Sequence, residues 1–425
     1  MLFYIIGLVG LFLPDAVCGA DPDICPRCGQ SDCEYMAGIN LAGAEFGRNI
    51  PGVEGRDYGW PKIEELDYWQ SKGIRLVRLP FMWERLQPVL NEAFDAGYLA
   101  GLEQTVMRMG RRNMLVILDV HNYARYRGEL IGSVAVPTAA FGDLWGRLST
   151  IFEDNPAVYG YGLMNEPGAC DWAAAAQAAI DAIRQKDAAT RIYVANDYPA
   201  WAATYATGDL AAWAERKMPI GNPNILHDPS NLLRWELHVY LDHDASGTYH
   251  NTYQFEIERT DGPGARVGPE LGIRRAKPFV EWLKKYNQKG FIGEYSAPAN
   301  PGVDSRWLYA LRNTMGYFRE HCLASTYWGA GERFYDGTDT VISENGWIVA
   351  GGERPQLKLL LKYSASDIPE IETCSNRLDD GMGFIADVSG PAGVPDCYVD
   401  IYDLAVFLVN WLDCNNFQDT TCMSK

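Results

Sequence analysis

Two short stretches decide the fold of this chain: Gly162-Leu163-Met164-Asn165-Glu166-Pro167 and Gly290-Phe291-Ile292-Gly293-Glu294-Tyr295. Each contains a short apolar run that predicts a buried strand, and each run closes on a glutamate. Residues typical of loops follow both glutamates. A parallel barrel places reactive side chains at strand ends, because the strand is rigid and the loop beyond it opens to solvent. The two stretches therefore predict that Glu166 and Glu294 are presented by the strands of a barrel.

Similar apolar runs recur between Met36 and Tyr363, separated by longer amphipathic stretches. The predicted strands are Ala37–Leu41, Arg75–Pro80, Leu115–Val120, Tyr159–Met164, Arg191–Ala195, Arg234–Val239, Phe291–Gly293 and Ala324–Trp328. Eight strand–helix units in about 330 residues predict an α/β fold, a (β/α)8 TIM barrel, over residues 36–365. A doubly wound open sheet is the alternative, but no Gly-rich nucleotide loop follows the first strand.

Helical patterns lie between these strands. In the first, Pro61 to Gly73, the residues Ile63, Leu66 and Trp69 share one face. The other clear helical patterns are Trp172–Lys186, Arg275–Gln288 and Trp307–His321. The longest interruption runs from residue 241 to residue 272, and we expect an insertion of this size to shape a cleft.

The composition restricts the class of partner. The chain has 37 basic and 55 acidic residues, a net charge of -18, which argues against nucleic acid or an anionic polymer. It also has 13 Trp and 24 Tyr. Aromatic faces suit stacking against sugars, although most aromatic residues in any protein belong to the core. An acidic enzyme acting on a neutral substrate fits this balance.

The first 20 residues predict a signal peptide. An apolar run from Leu2 to Leu13, too short to cross a bilayer, is followed by small residues up to Ala20. The usual basic residues before such a run are missing, so an uncleaved anchor is the alternative. We expect the protein to be secreted or at the cell surface. Ten cysteines, three of them in segment 21–35 up to Cys33, favour disulfides in an oxidising compartment over zinc, with connectivity left open.

Polar or aromatic groups lie at the ends of six of the eight predicted strands. They are Arg78, His121, Asn165, Glu166, His238, Tyr240, Glu294 and Trp328. If the barrel is correct, these side chains converge at one end of it. Two carboxylates presented in this way could break a glycosidic bond, one as the acid and one as the nucleophile.

In its motifs the chain resembles the family 5 glycoside hydrolases, and within them the bacterial and fungal endo-β-1,4-glucanases. The likeness spans roughly residues 38 to 328. The matching motifs are GINLAG with EFG (38–47), VRLPF with WERLQP (77–88), HNYARY (121–126), LMNEP (163–167), HVYLD with GT (238–248), and GEY (293–295). These motifs are long and stand in the family's order.

The resemblance implies that Glu166 is the general acid/base and Glu294 the nucleophile of a retaining hydrolase that needs no cofactor. Arg78 and Tyr240 would hold Glu294 ionised. Glu166 would have to keep its proton near neutral pH, helped by burial and by the neighbouring negative charge. The remaining residues would bind the β-linked polysaccharide. In this set Asn165 contacts the 2-hydroxyl, His121 and His238 donate further hydrogen bonds, and Trp328 forms the floor.

Two departures from the family pattern leave the substrate open. Residues 196–201 replace the usual turn after the fifth strand, and residues 332–335 replace an aromatic pair after the eighth. Mannan, xylan or mixed-linkage glucan could therefore replace cellulose as substrate of the same mechanism. A non-catalytic carbohydrate-binding barrel is a third possibility, but such a protein has no need of both glutamates with Arg78, Asn165 and Tyr240.

The C-terminal residues differ in character from the barrel. After a linker at 366–385, the segment 386–425 resembles one calcium-loop–helix half of a dockerin, and no clear second copy follows. The resemblance implies a structural Ca²⁺ and a docking protein as partner. The candidate calcium ligands are Asp387, Asp396, Asp400 and Asp403. A disulfide-stapled tail with solvated aspartates is the alternative.

Overall fold

The computed structural model describes residues 33–168, 170–195, 226–258, 267–298, 304–331 and 354–364. The predicted signal peptide, linker and dockerin-like segment lie outside these residues, as do all four candidate calcium ligands. Within the described part of the chain, no helix is both long and apolar enough to cross a membrane.

Eight parallel strands close into a barrel, which confirms the predicted fold class. The strands of the chain are β1 Ala37–Leu41, β2 Leu76–Phe81, β3 Leu115–Val120, β4 Arg125–Tyr126, β5 Glu129–Leu130, β6 Val158–Gly162, β7 Arg191–Ala195, β8 Leu233–Tyr240, β9 Gly290–Ser296 and β10 Ala324–Ala330. Around the barrel the order is β1-β2-β3-β6-β7-β8-β9-β10, and β10 pairs with β1. The short strands β4 and β5 form a separate antiparallel pair.

The barrel strands are buried on both faces, which explains why they were recognisable as apolar runs. Two of them extend further than their apolar residues. Strand β8 continues to Tyr240 and β9 to Ser296, and these two residues are paired in the ladder. The predicted strands end earlier, at Val239 and Gly293. In this extension the hydroxyl of Tyr240 donates to Glu294.

The described helices pack around the barrel. They are α1 Ile63–Ser71, α2 Trp83–Leu86, α3 Ala96–Gly110, α4 Thr138–Phe152, α5 Trp172–Arg184, α6 Tyr253–Glu258, α7 Leu271–Lys285, α8 Arg306–Glu320 and α9 Pro355–Ser364. Leu66 and Trp69 of α1 are fully buried, as expected. Ile63 is 45% exposed, so its assignment to the buried face was wrong. It is the first residue of α1 and lies in a surface groove beside Met107 of α3.

The residues just before β1 are fastened to the barrel by a disulfide and an ion pair. Cys33 is bonded to Cys322, which lies between α8 and β10. Glu34 accepts two hydrogen bonds from Arg234 of β8, at 2.7 and 2.6 Å. Burial would raise the pKa of Glu34, but Arg234 and the other nearby cations lower it below its ordinary value. The expectation of disulfide bonding is therefore confirmed for Cys33, and the partner is now defined.

The insertion that begins at residue 241 folds back on strand β8 where it is described. Asp242 accepts hydrogen bonds from the backbone N–H groups of Gly247 and Thr248, both at 3.1 Å. Gly247 lies against the ring of Tyr240, so closely that a Cβ at this position would be 2.5 Å from the ring. The hydroxyl of Tyr249 donates to the carbonyl of Ser296 at the end of β9. The insertion thus packs against the ring of Tyr240 and limits its movement.

Candidate active site

Arg78 is the central charge at the carboxyl end of the barrel, and its side chain is fully buried. Its Nη1 donates to Oε1 of Glu294 at 2.9 Å. Its Nη2 donates to Oδ1 of Asn165 at 2.8 Å and lies 3.1 Å from carboxylate oxygens of both Asp119 and Glu236. One guanidinium therefore joins four strands or strand ends, because its planar fork of N–H donors can serve several acceptors at once.

Glu294 lies in β9 where that strand is irregular. The register of β9 shifts against both neighbours around Gly293, which is the signature of a bulge. Glu294 is buried, and its Oε2 accepts a hydrogen bond from the hydroxyl of Tyr240 at 2.5 Å. Burial would raise its pKa, but the charges of His238, Arg78 and His121 and the Tyr240 hydrogen bond lower it below its ordinary value. Glu294 is thus an ionised carboxylate.

Glu166 reaches the same place from the loop after β6. Its backbone has a φ of 38°, a left-handed conformation that costs a residue with a side chain roughly 1–3 kcal/mol. The neighbouring Asn165 fixes this loop, because its N–H donates to the carbonyl of Val120 at 2.8 Å. The Glu166 side chain remains 19% exposed, so one side of it faces the open end of the barrel.

His238 connects the two glutamates. Its Nδ1 lies 2.9 Å from Oε1 of Glu166 and 3.5 Å from Oε2 of Glu294. Its Nε2 lies 3.1 Å from Oε1 of Glu236. Burial would lower the pKa of His238, but the carboxylates of Glu294, Glu166 and Glu236 raise it to about 10. At neutral pH His238 is therefore an imidazolium ion that donates from both nitrogens.

The groups Glu166, His238 and Glu294 each bring one potential metal-ligand atom within 4.8 Å of the others. A metal ion would need a neutral imidazole with a free lone pair. Because His238 is protonated and hydrogen-bonded through both nitrogens, the donor set does not suit a metal ion. These three residues form instead a charge cluster, with two carboxylate oxygens less than 5 Å apart.

A cavity of about 520 Å³ includes two of the converging residues, His121 and Trp328, and is also lined by Glu45 and Tyr123. The rings of His121 and Trp328 are stacked, 5.5 Å apart and 12° from parallel. Asp119 orients His121 through a 2.8 Å contact with its Nδ1. Burial raises the pKa of Glu45 to about 7. The cavity combines an aromatic floor with polar groups, as a sugar-binding cleft requires.

The structure brings together all eight residues that the sequence predicted for the site. Three further members were missed: Asn40, Asp119 and Glu236, each buried and each within 3.1 Å of Arg78. A sequence signal was present for two of them. Asp119 precedes His121 by two positions, and Glu236 precedes His238 by two, so in a strand each pair faces the same side. The rim residues 196–201 and 332–335 lie outside the described residues.

The family assignment follows from comparison with known proteins. The sequence model described as Cellulase (glycosyl hydrolase family 5) matches residues 39–333, well over half of the chain. The chain belongs to glycosyl hydrolase family 5. This agrees with the resemblance noted in the motifs, and it places the eight converging side chains in the matched region.

Several relatives support the assignment. The chain is 32% identical to endo-beta-1,4-glucanase B of Aspergillus niger over 302 residues, 69% of this chain and 81% of the relative. Among solved structures, Pseudomonas stutzeri endoglucanase Cel5A in complex with cellobiose is 35% identical, with a TM-score of 0.67, covering 79% of this chain and 93% of that one. XacCel5A in complex with cellopentaose is 34% identical, with a TM-score of 0.64, covering 78% and 99%.

We predict that Arg78→Met lowers the free energy of unfolding by about 3–5 kcal/mol at pH 7, because it leaves buried carboxylates without their shared cation. The pKa of Glu294 is lowered in the folded state, so its contribution to stability is present above its unfolded pKa and is lost as pH falls. Without the Arg78 cation, burial raises the pKa of the same carboxylate, so in the variant it takes up a proton as the pH falls, and the deficit should shrink from pH 7 to pH 4. Urea unfolding of both proteins at these two pH values measures it.

Arg85→Met is the matched control. Arg85 is also buried, but it donates to backbone carbonyl oxygens, among them those of Ala44 and Pro51. Its loss should destabilise the fold by an amount that does not depend on pH in this range. A deficit for Arg78→Met that is equally independent of pH would contradict the assigned charge pairing.

Proposed function

We propose that this chain is an endo-β-1,4-glucanase that hydrolyses internal bonds of cellulose-like chains with retention of configuration. The observation that carries the proposal is the separation of Glu166 and Glu294, which have carboxylate oxygens within 4.8 Å of each other. A retaining hydrolase needs carboxyl groups about 5 Å apart, whereas an inverting one needs about 6.5–9.5 Å to admit a water molecule. The endoglucanase relatives support a β-1,4-glucan as the substrate.

In this mechanism Glu294 is the nucleophile. Its carboxylate is ionised and held in one orientation by Arg78 and Tyr240, at 2.9 and 2.5 Å. It attacks the anomeric carbon while the bond to the leaving oxygen breaks, giving a covalent glycosyl–enzyme intermediate. The rigid β9 bulge and two fixed donors reduce the reorganisation needed at the moment of attack.

Glu166 is the general acid and then the general base. Its partly exposed side chain lies at the open side of the cluster, where the leaving group and later a water molecule can reach it. It donates a proton to the leaving glycosidic oxygen, and in the second step it takes a proton from the water that attacks the intermediate. Every step uses side chains alone, and the chemistry of family 5 cellulases needs no cofactor.

The other converging residues bind the sugar at the cleavage point. Oδ1 of Asn165 accepts from Arg78, so its Nδ2 is left as a buried donor without a hydrogen-bond partner among the described residues. This donor suits the sugar 2-hydroxyl, a contact that strengthens as the transition state forms. Trp328, backed by the stacked ring of His121, provides the apolar floor.

We predict that Glu166→Ala and Glu294→Ala each lower kcat on soluble β-glucan by at least about 10³-fold, because each removes one half of the double displacement. The two variants should differ on an aryl cellobioside with a good leaving group. Glu166→Ala should still form the intermediate and release a β-azide in the presence of azide. Glu294→Ala should form only the α-azide.

Circular dichroism spectra that match the parent protein are the control for both variants. Near-parental hydrolysis of β-glucan by either variant would remove its residue from the mechanism. A β-azide product from Glu294→Ala would show that another group acts as the nucleophile.

The substrate is tested by a panel of soluble polysaccharides. We expect the highest kcat/KM on a β-1,4-glucan, with viscosity falling faster than reducing ends accumulate, because an endo-acting enzyme cuts inside the chain. Mannan, xylan and mixed-linkage glucan are the competing substrates. A higher kcat/KM on mannan or xylan would overturn the proposed substrate while leaving the mechanism in place.

Two proposals concern residues outside the described structure. The first is that residues 1–20 form a signal peptide that directs the enzyme out of the cell, which the apolar run from Leu2 to Leu13 and the small residues up to Ala20 support. Residues 386–425 form a calcium-dependent docking element for a partner protein. Only the sequence pattern around Asp396, Asp400 and Asp403 supports this second proposal.

We predict that Ca²⁺ raises the melting temperature of a transition that belongs to segment 386–425, because bound Ca²⁺ stabilises only the folded loop. Scanning calorimetry of the full chain in calcium and in chelator measures the shift. The double variant Asp396→Ala/Asp400→Ala should abolish it. A transition in the parent chain that is insensitive to chelator would rule out the metal.

A further inference from the structure

We propose that Glu236, a buried carboxylate that does not face the cleft, is a positioning residue that keeps His238 charged against Glu166. The inference rests on the proposed role of Glu166 as acid/base. The geometry points to it because Glu236 lies behind His238, on the side away from Glu166, and contacts both His238 and Arg78. Its side chain is only 1% exposed.

The hydrogen bonds of His238 require a protonated ring. Both of its nitrogens face carboxylate oxygens, Nδ1 that of Glu166 at 2.9 Å and Nε2 that of Glu236 at 3.1 Å. A neutral imidazole donates from one nitrogen and presents a lone pair at the other, so one of the two contacts would become repulsive. The imidazolium ion satisfies both contacts while Glu166 is a carboxylate, and equally when Glu166 carries its proton on the oxygen that faces away from His238. If Glu236 were neutral, Glu166 would be the only carboxylate hydrogen-bonded to the ring, and a neutral imidazole could satisfy that contact.

Among the described residues, three carboxylates contact His238. Glu166 follows β6, Glu236 lies on β8 with His238 itself, and Glu294 on β9 lies 3.5 Å from Nδ1. Arg78 forms ion pairs with two of these carboxylates, Glu236 at 3.1 Å and Glu294 at 2.9 Å. Arg78 therefore pairs with Glu236 and Glu294, whereas the charge of Glu166 is balanced by the imidazolium of His238.

The backbone of β9 leaves space for Glu236. Gly293 is adjacent to its carboxylate, and a Cβ at position 293 would lie 1.9 Å from Oε1 of Glu236. Gly293 is also the point where the register of β9 shifts before Glu294. The same bulge that aims Glu294 into the site therefore accommodates the Glu236 carboxylate, which ties the two features together structurally.

The charge on His238 has a use in each half of the reaction. After Glu166 has given its proton to the leaving group, it is a carboxylate close to the ionised or newly esterified Glu294. An N–H of a cation at 2.9 Å stabilises that carboxylate and fixes which of its oxygens faces the substrate. The remaining Glu166 oxygen is left for the leaving group and then for the attacking water.

The test uses Glu236→Gln, which keeps the size and removes the charge. With ¹⁵N-labelled histidine, the His238 ring in the parent protein should remain protonated from pH 5 to pH 9. In Glu236→Gln it should titrate within this range. We also expect the ratio of variant to parent kcat to fall at least tenfold between pH 5 and pH 8, with KM unchanged, since Glu236 does not face the cleft.

Asp119→Asn is the matched control. Asp119 has the same burial and the same 3.1 Å contact with Nη2 of Arg78, but it holds His121 instead of His238. Whatever this variant does to activity, the His238 ring should keep the parent titration. A resonance that disappears in His238→Gln assigns the ring among the six histidines of the chain.

Three results would overturn the proposal. They are a His238 ring that is neutral at pH 8 in the parent protein, a ring that stays protonated to pH 9 in Glu236→Gln, and a kcat ratio that does not change with pH. The first needs no variant, so the proposal remains testable if Glu236→Gln does not fold. The titration is independent of turnover, so a failure of the Glu166 assignment would leave the ring measurement standing.

Discussion

The site depends on the burial of one guanidinium ion among carboxylates. Arg78 lies within 3.1 Å of Asp119, Glu236 and Glu294, and all four side chains are almost completely removed from water. One cation cannot balance three anions, and an uncompensated buried charge is very costly. The two histidines supply the balance: the pKa of His121 is raised by Asp119 despite burial, and that of His238 by three carboxylates. The barrel end is therefore a set of charges that stabilise one another.

This arrangement gives the two glutamates different environments. Glu294 is inside the cluster, with Arg78 and Tyr240 holding its oxygens. Glu166 is at the edge of the cluster, partly exposed, with His238 as its protein donor. A nucleophile must be ionised and fixed, whereas an acid/base must exchange protons with the leaving group and with water. The difference in burial and in donors matches these two requirements, which is why the geometry supports a division of labour.

Closure of the barrel is what assembles the cluster. Arg78 comes from β2, Asp119 from β3, His238 from β8 and Glu294 from β9, and the contact between Arg78 and Glu294 joins residues 216 positions apart in the sequence. Any slip of one residue in a strand would turn its side chain to the outer face. The disulfide of Cys33 with Cys322 and the pairing of Glu34 with Arg234 lie near the opposite end of the same strands. The residues just before β1 are therefore held at the end of the barrel away from the converging side chains.

The sequence predicted the barrel because buried parallel strands are continuous apolar runs, as in β3 and β7. It also predicted the eight converging residues, because the carboxyl ends of parallel strands lie at the same end of a barrel. It did not predict Asp119 and Glu236: their spacing of two from His121 and His238 indicated a shared face, but nothing in the sequence identified Arg78 as their partner. Their contacts with Arg78 exist only once β2, β3 and β8 are neighbours. The exposure of Ile63 was missed for a similar reason, since periodicity does not show where a helix end leaves the core.

Trapping of the covalent intermediate tests the central claim most directly. A 2-deoxy-2-fluoro cellobioside with a good leaving group forms the intermediate quickly and releases it slowly, because the fluorine destabilises the transition state of both steps and the leaving group restores only the first. Peptide mass spectrometry of the inactivated protein should then find one 2-deoxy-2-fluorocellobiosyl group attached to Glu294. A label on Glu166 or on any other residue, or turnover with inversion and no label, would contradict the account.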